Sequence, residues 1–164
     1  MRATGLRVQL KKGRDGPPTL ACVRPDGTRT WARLHGFFPI HDLTHYAVES
    51  VLGFDAAFFG LIARGASIAA FTEPGAPARL PVQARWAEQI VGLLDLERGM
   101  SRLLGADEFT AALGHALERH GLPPFRRLTD AELGRVRTLR GELQARWRGL
   151  TPGATLEISF PAPA

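Results

Sequence analysis

Over residues 6–11, LRVQLK, apolar and polar positions alternate: Leu6, Val8 and Leu10 share one face, and Arg7, Gln9 and Lys11 the other. A period of two predicts a half-buried strand. GRDGPP ends it. TLACVRPDGTRTWARLH then predicts a hairpin turning at Pro25-Asp26-Gly27, residues that favour turn backbone angles. The period next becomes helical. Pro39 opens a helix to about Leu52, Gly53 interrupts it, and FDAAFFGLIARG predicts a second apolar helix. FTEPGAPARLP is a Pro/Gly-rich loop and the best internal boundary, although its flanks are too small for separate domains.

Pro81 suits the first position of the next helix, where Val82, Trp86, Ile90 and Leu93 follow at helical spacing and Gly99 marks the stop. ADEFTAALGHALERHG predicts a shorter amphipathic helix ending at Gly121. TDAE reads as a capping box, with Thr129 as cap and Glu132 reaching back; the helix it starts buries Val136, Leu139, Leu143 and Trp147. TLEISF, residues 155–160, alternates again as a final strand. The resulting fold class is α+β over residues 1–164 as a single domain. Its small antiparallel sheet comprises the N-terminal strand, the hairpin and the C-terminal strand, with four to five helices packed on one face.

Composition narrows the function classes. At 164 residues and 45% hydrophobic the chain has enough apolar material for a real core. It contains no apolar run of the roughly 18 residues that a membrane span requires. Its start, MRATGLRVQLKKGRDG, lacks a signal peptide's apolar middle, and the single Cys22 excludes an internal disulfide, so a cytoplasmic location is expected. The net charge is +5. Nearly all the basic residues are arginine and they are scattered along an Ala- and Gly-rich chain, a pattern of GC-rich codon usage rather than a nucleic-acid footprint. No partner is specified beyond an unknown small-molecule ligand or substrate, and a homo-oligomer is left open.

The chemistry concentrates in FFPIHDLTHYAVESVLG, residues 37–53. On a helix at about 100° per residue, His41, His45, Glu49 and Asp42 fall within a sector of about 100°. Leu43, Ala47 and Val51 occupy another side, so the polar stripe faces a cleft or the interior rather than open water. Histidines at i and i+4 converge on one metal ion, and a carboxylate is the usual companion as ligand or as support for an imidazole. His41 and Glu49 lie about 12 Å apart along the axis at about 1.5 Å per residue, and Asp42 needs less reach. The metal-ligand candidates are therefore His41 and His45, with Asp42 or Glu49 as the third and His35 from the preceding strand completing the sphere. The catalytic candidates are Asp42 and Glu49, one of them acting as general base on metal-activated water. Against this stands a helix beginning at Asp42, a favoured N-cap, which would leave His41 outside the i,i+4 pair. A structural cluster of buried, hydrogen-bonded histidines is the bland counterpart.

HDLTHYAVE resembles two known patterns and the sequences of small uncharacterised bacterial proteins. One is the HExxH zinc-peptidase motif, with Asp42 where that family carries its catalytic glutamate. The other is the His-Asp…His…Glu zinc pattern of a ubiquinone-biosynthesis family, which His41, Asp42 and His45 match in kind and which places Glu49 earlier than that family's glutamate. Both resemblances imply a divalent metal, zinc foremost. The His-Asp pair is shared with HD-domain phosphohydrolases, which are all-helical, unlike the strands predicted here. The leading expectation is a small bacterial metal-binding protein acting as a metal-dependent hydrolase; the alternative is a non-catalytic binding or interaction module built on a structural His/carboxylate cluster.

Other residues weigh less. Trp31 alternates with Arg29 and Arg33 and is read as covered by arginine stems or a helix, in preference to a ligand-stacking platform. His115 and Glu118 fall on the polar face of their helix. His120 suits the end of a helix dipole, and Cys22 reads as core. The arginines from Arg126 to Arg148 surround their helix without forming one phosphate-binding face, so a solvated helix is expected.

Overall fold

The computed structural model describes residues 4–161. Four strands, β1 (Leu6–Lys11), β2 (Thr19–Val23), β3 (Arg29–Arg33) and β4 (Thr155–Phe160), form an antiparallel sheet in the order β3-β2-β1-β4. The alternation read in β1 and β4 is realised: Leu6, Val8 and Leu10 sit opposite Phe160, Ile158 and Leu156, all buried on one face. The β2–β3 turn forms as expected. Gly27 lies at φ +88° and donates to the Arg24 carbonyl at 2.9 Å, and the Asp26 carboxylate accepts from the Thr28 N–H at 2.9 Å.

Among the described residues there are also six α-helices: α1 (Phe38–Leu52), α2 (Phe58–Ala63), α3 (Ala76–Arg79), α4 (Val82–Leu96), α5 (Ala106–Arg119) and α6 (Asp130–Gly149). The α+β architecture is the expected one, with two more precise findings. The segment read as a Pro/Gly loop holds the one-turn α3 and the end of a 3₁₀ turn at Ile68–Thr72, because a Pro in the first turn starts a helix without supporting a long one. Pro81 is the cap of α4 rather than its first residue. Thr129 caps α6 as read: its hydroxyl accepts from the Glu132 N–H at 3.1 Å, and the Glu132 carboxylate accepts from the Thr129 N–H at 3.0 Å.

α1 occupies the centre. Leu43 packs into an apolar cluster with the sheet, Phe59 and Ile62 of α2, and Trp147 of α6. Ala47 and Val48 pack into a second cluster built on Ile90 and Leu94 of α4, Phe109 and Leu113 of α5, and Val136 of α6. Most of its circumference is thus spent on packing, which the apolar character of the helix requires. The helix also begins early: it starts at Phe38, with Pro39 in the first turn and Phe37 as a cap without a side-chain hydrogen bond. Asp42 is therefore not its cap, and His41 lies inside the helix. Gly53 ends it at φ +69°, donating to the Glu49 carbonyl in the left-handed geometry that glycine adopts without strain.

Arg135, Arg146 and Arg148 of α6 are exposed, as expected of a solvated helix, but two other arginines are drawn in. Arg137 pairs with Glu97, which is 3% exposed, and its Nη2 donates to the Leu104 carbonyl at 2.8 Å. Arg140 donates to the Leu94 carbonyl at 2.9 Å. Both therefore clamp α6 to the end of α4. Trp31, on the edge strand, is 53% exposed, more than the covered position expected of it. His115, Glu118 and His120 are exposed and Cys22 is buried, as read.

Candidate metal centre

The polar stripe of α1 faces α4. Nδ1 of His41 lies 2.9 Å from Oδ2 of Asp95, and Nε2 of His45 lies 3.1 Å from Oε1 of Glu88. His41 meets the later α4 residue and His45 the earlier, so the two helices run antiparallel here. The imidazoles stand edge to face with centroids 4.8 Å apart. His41, His45 and Glu88 each offer a ligand atom, and these atoms all lie within 4.8 Å of one another. In a tetrahedral zinc shell, donors about 2.0–2.2 Å from the ion stand about 3.4 Å apart. Drawing this group closed takes movement on the order of 1 Å, well within side-chain rotation.

Carboxylates stand behind both histidines. Asp95 accepts from Nδ1–H of His41, which leaves Nε2 as the nitrogen that can face the cluster. Oε2 of Glu49 approaches Nδ1 of His45 to 3.3 Å, off the line of a good hydrogen bond. The other Glu49 oxygen accepts from the Phe59 N–H at 2.9 Å. A carboxylate behind each imidazole is the arrangement that orients metal-ligating histidines. Aromatic rings close the flanks: Phe38 meets His41 edge-on, and Phe58 tilts against His45.

Of the residues read from sequence, His41 and His45 come together. Asp42 is 7% exposed and stays outside the three-residue group, its Oδ2 without a partner. Glu49 is fully buried behind His45, and His35 is exposed at the end of β3. Glu88 and Asp95 were missed, because the α4 stripe was read for its apolar positions. The signal available was their spacing of seven, two helical turns on one polar face.

The electrostatics are those of an anion-rich pocket. Burial pushes the Asp42 carboxyl up to about 7 despite the nearby histidines, and burial also raises Glu49. Burial alone would depress His45, but Glu49 and Glu88 outweigh it and push the imidazole up to about 10. Glu88 is held below its usual value by His45, against its own burial. A proton on His45 is therefore the cation of this cluster, and a metal ion would replace it. Among the described residues, six buried side-chain atoms lack a hydrogen-bond partner, and four belong here: Asp42 Oδ2, His45 Nδ1, Glu49 Oε2 and Asp95 Oδ1. Native interiors rarely leave such groups orphaned, and their concentration marks a site built to hold charge.

His41, Asp42, His45 and Glu88 line a cavity of about 730 Å³. That lies in the range of small-molecule sites. Two imidazole nitrogens and one carboxylate on the wall of this cavity form a donor set that could hold a metal ion. Among the described residues, no helix is long and apolar enough to cross a membrane. No protein-family model, curated protein or solved structure matches this chain.

Proposed function

We propose that the protein binds a divalent metal ion, zinc foremost, through His41, His45 and Glu88, and uses it to hydrolyse a small molecule admitted by the cavity. The observation that carries this reading is the convergence of three ligand atoms from α1 and α4 within 4.8 Å on a cavity wall. A metal there would lower the pKa of a water molecule and polarise a substrate oxygen. Asp42 lines the same cavity and is the candidate general base. Glu49, buried behind His45, is the candidate for orienting that ring. His35 lies on the cavity rim as a further polar contact. The buried thiol of Cys22 fits a reducing, cytoplasmic compartment, and the place of α1 in both apolar clusters supports a single domain.

The second reading is a non-catalytic module whose His/carboxylate cluster is structural. It is favoured by the charge match already present, His45 lying between Glu49 and Glu88. Elemental analysis of purified protein separates the two. The metal reading expects a near-stoichiometric divalent ion, lost in His45→Ala and in Glu88→Gln. A metal-free protein whose melting temperature ignores both chelator and added zinc would overturn it.

A further inference from the structure

The cavity carries features that the metal cluster does not use. Its wall is apolar over most of its extent, with Leu34, Phe58, Ile68, Phe71 and Leu80 drawn from the residue after β3, α2, the 3₁₀ turn and the approach to α4. Two arginines, Arg33 and Arg85, also line it. Among the described residues, neither forms an ion pair or a side-chain hydrogen bond; Arg33 is exposed, whereas the other half-buried arginines, Arg24, Arg137 and Arg140, all hold carboxylates or carbonyls. Arg85 is half-buried, so its lack of a partner is not that of a side chain lying in open water. It stands three residues before Glu88 on α4, which puts both on one face about 4.5 Å apart along the axis at about 1.5 Å per residue.

An unpaired guanidinium on a half-enclosed apolar wall is a site for an anion, with a planar fork that matches a carboxylate. The apolar wall asks for an apolar body on the same molecule. We infer that the cavity takes an amphipathic organic anion, with its carboxylate on Arg85, assisted by Arg33, and its hydrocarbon part against Phe58, Phe71 and Ile68. As the substrate class of the metal centre this rests on the metal reading, because the turn between Arg85 and Glu88 places a bond a few atoms from the carboxylate at the His41/His45/Glu88 cluster. As a binding site it stands on Arg85 and the apolar wall alone.

The probes are octanoate, its charge-reversed counterpart octylamine, and acetate, titrated by calorimetry into chelator-treated and zinc-supplemented protein. Octanoate is expected to bind in both preparations, acetate far more weakly, and octylamine no better than acetate. Arg85→Gln should weaken octanoate about tenfold or more, the scale of a lost charged hydrogen bond. Phe71→Ser should weaken octanoate without rescuing acetate. Arg33→Gln/Arg85→Gln should bind no tighter than Arg85→Gln. Unchanged circular dichroism and melting temperature in Arg85→Gln exclude misfolding. Preference for octylamine, equal binding of octanoate to wild type and to the double variant, or no octanoate binding in either preparation overturns the inference. Octanoate binding that survives Arg85→Gln only when zinc is present also overturns it, because the carboxylate would then sit on the metal. A protein that takes up no zinc but binds octanoate through Arg85 removes the metal reading and leaves the anion site standing.

Discussion

Replacing Asp95 by Asn removes a negative charge 2.9 Å from Nδ1 of His41 with almost no change in side-chain volume. If His41 ligates metal through Nε2, that carboxylate orients the ring without touching the ion. Losing such a partner costs about 10- to 100-fold in metal affinity, or about 1.4–2.7 kcal/mol. Asp95 is only 15% exposed, so water screens the pair weakly. The Asn amide oxygen still accepts from Nδ1–H, which places Asp95→Asn near the tenfold end. Asp95→Ala leaves that N–H without an acceptor and falls near the hundredfold end. Glu88→Gln removes an anionic ligand outright and should cost more than either. Glu49→Gln keeps an acceptor for the Phe59 N–H while losing the charge beside His45, and should match Asp95→Asn. The affinities are read by competition against a chromophoric chelator at fixed pH, with thermal unfolding of each metal-free variant run alongside. Equal losses in Glu88→Gln and Asp95→Asn would refute the assignment of Glu88 as ligand. Tighter binding in Asp95→Asn would refute the orienting role of Asp95.

Burial, then the nearby Asp42 charge, pushes the Cys22 thiol up to about 12 from 9.0 against the pull of Arg24. The folded pKa is raised, so the contribution is complete below about 9 and is lost as pH rises toward 12. The wild type should lose about 1.4 kcal/mol more than Cys22→Ala between pH 8 and 10 in urea titrations, and parallel pH profiles would contradict the burial argument. Thr129→Ala removes the hydroxyl cap of α6 and should cost about 1 kcal/mol in a denaturant titration; a change within error would place the helix start elsewhere. Arg137→Met leaves Glu97 buried with Arg140 3.9 Å away as its remaining cation. A broken buried pair costs about 3–5 kcal/mol, and Arg140 sets the expectation near 3; a loss below 1 kcal/mol would mean that Arg140 takes over the pair.

What the sequence determined by itself is local. The bounds of β1 and β4 follow from alternation over six residues, since a period of two can present one apolar face only as a strand. The Thr129 cap follows from four adjacent residues whose hydrogen bonds close within a single turn. His41 and His45 were legible as a pair because one turn of helix brings i and i+4 together wherever the helix lies. Tertiary packing decided the rest. Asp95 lies 54 residues from His41, and no local pattern states which polar stripe of which helix α1 will face. That is settled by the apolar sides of α1, which commit it to two clusters at once and turn its remaining stripe toward α4. The same packing put Glu49 behind His45 rather than beside His41, and drew Arg137 and Arg140 out of solvent onto the end of α4. Each is a matter of orientation and of burial against distant chain, where the cost of leaving a charge unpaired selects the partner.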